Sequence, residues 1–68
     1  MIKVGDVVSI KFNNDKLDRY YLRENGVVEG DVAIVTTHTP LTSMYYEALV
    51  LRLGEVLSFS ATEVVPIT

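Results

Sequence analysis

The sequence predicts an all-β domain of about five short strands, with a short helix or helical turn in the long connection after the first strand. Three observations carry that expectation. Val8, Ile10 and Phe12 alternate with Ser9 and Lys11, the two-residue period of a half-buried strand. Residues 32–37 form an uncharged, β-branched run that is apolar on both faces. Residues 44–53 and 55–59 flank Gly54 in the pattern of a hairpin.

The first strand is expected over residues 6–12 and is broken by the turn chemistry of Asn13-Asn14-Asp15. Residues 15–25 are the least strand-like stretch. Asn14 or Asp15 is placed to cap a short helix, and Leu17, Tyr20 and Tyr21 share one face at i, i+3 and i+4. Asn25-Gly26 stops it, with glycine free to take positive φ. Val27-Val28 reads as a short strand and Gly30-Asp31 as a turn ahead of the second long strand. From Thr36 to Ser43 the chain reads as strand end and loop, with Pro40 holding Thr39 extended.

A two-residue hairpin loop centred on Leu53-Gly54 or on Gly54-Glu55 sorts the side chains the same way. Tyr46, Ala48, Val50, Leu57 and Phe59 share one face. Leu49, Leu51, Val56, Ser58 and Ser60 share the other, and Leu53 joins them in chain parity. Residues 60–63 read as a tight turn. Val64-Val65 then extends, and Pro66 confines this last strand to an edge or a strand end.

A chain of 68 residues is one domain, residues 1–68, and one that needs an efficient core or a partner chain to stay folded. It has no cysteine and one histidine, so neither a disulfide framework nor a structural zinc is expected. Hydrophobic residues make up 49%, which supports a real core and argues against disorder. Net charge is -3, and the six cations Lys3, Lys11, Lys16, Arg19, Arg23 and Arg52 form no run, which disfavours nucleic-acid binding. Eleven of the fifteen charged side chains fall within residues 1–31, but neither half has enough apolar residues for its own core. The N-terminus has no signal-like apolar stretch, and no segment is long enough to span a membrane. The expected location is the cytoplasm.

The order of these pieces resembles that of small SH3-like β-barrels. Val4-Gly5-Asp6-Val7-Val8 opens a strand, and a long loop follows. Then come Asp31-Val32-Ala33-Ile34-Val35, Tyr46-Glu47-Ala48-Leu49-Val50-Leu51, a Gly turn, and a one-turn helix before Glu63-Val64-Val65-Pro66-Ile67. The resemblance covers nearly the whole chain and extends to barrels that bacteriophages and bacteria encode as stand-alone proteins. The chain departs from SH3 domains that bind Pro-rich peptides, because it has no Trp and Asp18-Arg19-Tyr20-Tyr21 only faintly matches their Ala-Leu-Tyr-Asp-Tyr-like stretch. KOW-type barrels of transcription and ribosomal proteins are similar to residues 4–12 and 26–35, but their basic loops are sparse here.

Little in the chain is equipped for chemistry. His38 lies among Thr36, Thr37, Thr39 and Pro40 and is expected as an exposed loop residue rather than a metal ligand. Glu47, Glu55 and Glu63 are the only acids of the second half and show no catalytic pairing. Ser58 and Ser60 lack a positioned base, and the four glycines form no phosphate loop. No catalytic residue, cofactor, metal or small-molecule substrate is therefore expected.

The surplus is apolar and aromatic. Tyr20, Tyr21 and Tyr45 offer contact area at low entropy loss, with Tyr46 turned to the core. Leu49, Leu51 and Val56 sit on the second face of the hairpin. Either residues 15–25 fold over that face or it is an exposed patch of the kind that marks an interaction site. The expected function is a non-catalytic protein-interaction module. It is an accessory protein that docks on a larger protein or on itself. A KOW-like nucleic-acid or transcription-complex factor is the alternative.

Overall fold

The computed structural model describes residues 2–38 and 45–67. Strand β1 (Val7–Ile10) lies at the centre of the chain's connections. It pairs antiparallel with β2 (Val32–His38) on one side and with β5 (Val64–Pro66) on the other. Strands β2, β3 (Tyr45–Val50) and β4 (Glu55–Ser60) continue as an antiparallel meander, so the sheet runs β4-β3-β2-β1-β5. The hydrogen-bonded sheet is open: β4 and β5 are its two edges, and among the described residues they do not pair with each other. The expected β-rich, five-stranded architecture is present, whereas closure into a barrel by backbone pairing is not.

Strand parity decides what is buried. Val8 and Ile10 of β1, Ala33 and Val35 of β2, Tyr46, Ala48 and Val50 of β3, Leu57 and Phe59 of β4, and Val64 of β5 all point to one side and form the core. The hairpin sorting read from the sequence holds, although its loop does not. Val50 pairs with Glu55, so the loop spans four residues, 51–54, rather than two. The Gly54 N–H donates to the Val50 carbonyl at 2.8 Å and Gly54 takes φ +67°, the positive-φ position a glycine supplies without strain. Lengthening the loop from two residues to four shifts the register by two, which leaves the faces unchanged. Leu53 is a correction: the turn carries it back onto the core, against which Phe12 and Ile2 also pack.

The chain between β1 and β2 contains the helix α1 (Lys16–Glu24). Asp15 caps it by accepting the N–H groups of Leu17 and Asp18, an arrangement worth about 1 kcal/mol. Asn25 ends it, followed by Gly26 at φ +84°. The helix buries Leu22, while Leu17, Tyr20 and Tyr21 remain exposed, so the face they share looks outward. Both ends of this segment are tethered. Asn13 Nδ2 donates to Asp18, Ser60 and Thr62, and Arg52 reaches the Gly26 carbonyl and both Asp31 carboxylate oxygens. At the β4 edge, the Tyr21 hydroxyl accepts the Ser58 N–H at 3.3 Å. Val27-Val28 is a correction: it forms no strand. Val27 drops into the core and Val28 opens a turn in which the Asp31 N–H donates to the Val28 carbonyl.

His38 is also corrected. The register of β2 shifts between Val35 and Thr37, inserting one residue. Such a bulge changes the side to which later side chains point. His38 therefore closes β2 opposite Tyr46, half-buried, with ring centroids 4.5 Å apart and planes 16° from parallel. The loop expected after it lies outside the described residues, as does Met44.

Candidate interaction surface

The outer face of the sheet is assembled by register. Val7 pairs with Ile34, Ile34 with Leu49 and Leu49 with Val56, while the Ile67 N–H donates to the Val7 carbonyl. Ile67, Val7, Ile34, Leu49 and Val56 therefore form one apolar row across the whole sheet. A second row beside it holds Val65, Ser9 and Val32, with Leu51 held close by its N–H on the Val32 carbonyl. Val56 is 52% exposed, Leu51 51% and Ile67 50%, and Val65 and Val32 are also exposed. The helix does not lie over these residues, because its buried side chain Leu22 belongs to the core on the other side of the sheet. The two rows carry no charge, and their single polar side chain is Ser9.

Of the six candidate contact residues, Leu49, Leu51 and Val56 are brought together on this face. The tyrosines are elsewhere. Tyr20 lies between Lys16, Arg19 and Arg23 on the exposed side of α1, beside a shallow groove of about 330 Å³. Tyr21 is spent partly on the β4 edge. Tyr45 lines a cleft of about 320 Å³ with Asn13, Asp15, Asp18, Ser60, Ala61 and Thr62. Val7, Val32, Ile34, Val65 and Ile67 were not among the sequence candidates. The pairing of β1 with both β2 and β5 brings them onto the hairpin's outer face, and chain-local parity cannot show that.

One charged group of the second half behaves unexpectedly. Glu63 is 2% exposed. Its Oε1 accepts the Ser60 N–H at 2.8 Å, and the Glu63 N–H donates to the Ser60 carbonyl. The spacing Ser-x-x-Glu is that of a capping box, which was the available sequence signal. Oε2 is buried without a partner. Burial raises the Glu63 carboxyl above its ordinary value, and the nearby Asp18 and Asp15 charges add to the rise. Asp31 goes the other way: the hydrogen-bonded Arg52 guanidinium holds it below the usual range. Among the described residues no three His, Cys, Asp or Glu side chains are arranged to hold a metal ion. No helix there is long and apolar enough to cross a membrane. No protein-family model, no curated protein and no solved structure matches this chain.

Proposed function

We propose that this chain is a non-catalytic protein-interaction module, a small accessory protein that docks through the outer face of its sheet on a larger protein or on itself. The observation that carries the reading is the uncharged apolar row from Ile67 to Val56, crossing every strand with no covering element among the described residues. An antiparallel sheet with one wet face ordinarily alternates apolar with polar. Apolar side chains on both faces mark a sheet meant to be covered twice, and contiguous exposed patches of several hundred Å² mark interaction sites. The SH3-like reading of the fold is part of this proposal. It is supported by the pairing of the first strand with the last, the meander of the middle three, and the turn at residues 60–63 before β5.

The test is a photo-crosslinking residue at position 56 in the native host, with a second at position 24 on the helix as control. Discrete covalent adducts from position 56 and none from position 24 are the expected outcome. Position 56 giving only the uncrosslinked chain would remove the docking role.

A second reading has its own observation. Lys16, Arg19, Tyr20 and Arg23 fall on one exposed helix face at i, i+3, i+4 and i+7. Half of the cations and an aromatic ring are thereby concentrated in a chain of net charge -3. Such a stripe suits a phosphate backbone and supports the KOW-like nucleic-acid alternative. Binding of single-stranded RNA that weakens steeply with salt and is lost in Arg19→Glu/Arg23→Glu would favour it. The adjacent Asp15, Asp18 and Glu24 weigh against it.

A further inference from the structure

We propose that the occupant of the outer sheet face is a second copy of this chain, forming a symmetric face-to-face dimer. This rests on the docking role proposed above and names its partner. Charged side chains flank the apolar rows on two opposite sides. Lys11 follows Ser9 by two residues, just past the end of β1, where its N–H donates to the Glu63 carbonyl, and Glu47 precedes Leu49 by two residues on β3. Both are exposed, and neither forms an ion pair among the described residues. Their side chains share the parity of the outer face, since Ile10 and Phe12 on either side of Lys11, and Tyr46 and Ala48 on either side of Glu47, pack toward the core.

The register fixes how these charges are related. Ser9 stands opposite Val32, and Val7, Ile34 and Leu49 form one row. Lys11 thus lies beyond one side of the apolar band and Glu47 beyond the other. The midpoint between them falls on β2 between Val32 and Ile34, the centre of the band. A two-fold axis in the plane of the interface, through that point and perpendicular to the line from Lys11 to Glu47, lays the apolar band of one copy across that of the other, with the rows crossing at an angle. The same rotation sets each Lys11 against its partner's Glu47. A self-complementary surface of this kind is what a closed two-fold dimer requires. Opposite charges at the rim fix orientation and suppress wrong registers, while the apolar centre supplies affinity.

The area is adequate. Five strands spaced about 4.8 Å apart and the run from Lys11 to Glu47 give a footprint of roughly 20 by 20 Å. The accessible surface of a side-chain-textured face exceeds its footprint. That brings it to the scale of the roughly 600 Å² per partner at the lower end for specific complexes. This is a substantial share of the chain's 4475 Å². A domain this small gains from it, because a partner chain adds apolar burial that its own interior does not provide.

The experiment uses the full chain in sedimentation equilibrium and light scattering from about 1 to 100 µM, the range in which modest interfaces dissociate. The expected result is a mass moving from 7.6 kDa to twice that value as concentration rises. Val56→Lys and, independently, Leu51→Lys should raise the dissociation constant by about a hundredfold or more, because each buries an unpaired charge twice in the dimer. Both variants are to keep the wild-type circular dichroism, and Leu51→Lys in the turn guards against loss of fold at Val56. Lys11→Glu or Glu47→Lys alone should weaken the dimer several-fold, and the two together should restore it. A chain at 7.6 kDa throughout, or a dimer that survives both lysine variants, overturns the proposal. A monomer that still crosslinks from position 56 to other proteins overturns the dimer while leaving the docking role in place. A monomer without such adducts removes both.

Discussion

On its inner face the sheet carries Val8, Ala33, Val35, Ala48, Val50, Leu57 and Phe59, all buried; on its outer face Val7, Ile34, Leu49, Val56 and Ile67 stand in one row, with Val56 and Ile67 half exposed. The two sets have nearly the same chemistry. What separates them is the connection after β1, which drops Leu22 and Val27 into the inner side and leaves the outer side bare. The lesson is that apolar content on a strand does not determine burial. The element that covers it does, and for the outer face no such element exists among the described residues. A sheet that alternated strictly would have settled the matter with polar residues at positions 49 and 56.

The sharpest way to break this comparison is to truncate one residue on each face. Phe59→Ala should destabilise the domain by about 3–5 kcal/mol, because it removes a large, fully buried side chain from the core. Val56→Thr should change the stability of the isolated chain by no more than about 0.5 kcal/mol, as exposed substitutions do. Urea unfolding at low protein concentration measures both. Equal losses at the two sites would mean that the outer face is as packed as the inner one. If Val56→Thr becomes destabilising only as protein concentration rises, association is the cause.

The same contrast applies within the helix. Leu22→Ala should cost about 2–5 kcal/mol, since Leu22 is fully buried in the core. Leu17→Ala should be close to neutral, because Leu17 is exposed and alanine is the better helix former. Thermal melts of the two variants decide it. A comparable loss for Leu17→Ala would place the Leu17-Tyr20-Tyr21 face inward, contrary to the structure.

Much of this was legible in the sequence, and the failures have identifiable causes. Alternation in β1 and parity across the hairpin gave the inner face residue by residue, because a period of two survives any loop-length error of two. The helix limits at Asp15 and Asn25-Gly26 were readable from cap chemistry. Its buried side was not: Leu17, Tyr20 and Tyr21 form the more apolar face, and tertiary packing overrode that preference in favour of Leu22. His38 was misplaced because a bulge at Thr36 leaves no mark in composition. The outer row was half legible. Leu49, Leu51 and Val56 followed from the hairpin alone, whereas Val7, Ile34 and Ile67 join them only through non-local pairing.

Glu63 offers the finest test of what lies on the inner side, because it is the one buried charged side chain among the described residues. Its carboxyl is raised above 4.5 by burial and by the neighbouring Asp18 and Asp15. The folded state therefore holds its proton more tightly than the unfolded chain does. Between the ordinary value and the raised one the native state binds more protons, so stability falls as pH rises through that window. The stabilising contribution is complete below 4.5 and lost once the folded group ionises. Each unit of the rise corresponds to about 1.4 kcal/mol. Glu63→Gln keeps an oxygen for the Ser60 N–H and cannot ionise. It should lack this slope, and at neutral pH it should equal or exceed the wild type in stability. Asp31 imposes the opposite dependence near and below 3.8, identically in both proteins, so it cancels in the difference. Urea midpoints of wild type and Glu63→Gln, followed from pH 4 to pH 8, give that difference directly. A gap between them that stays constant with pH would mean that Glu63 ionises freely and is not sequestered on the core side of the β4–β5 turn.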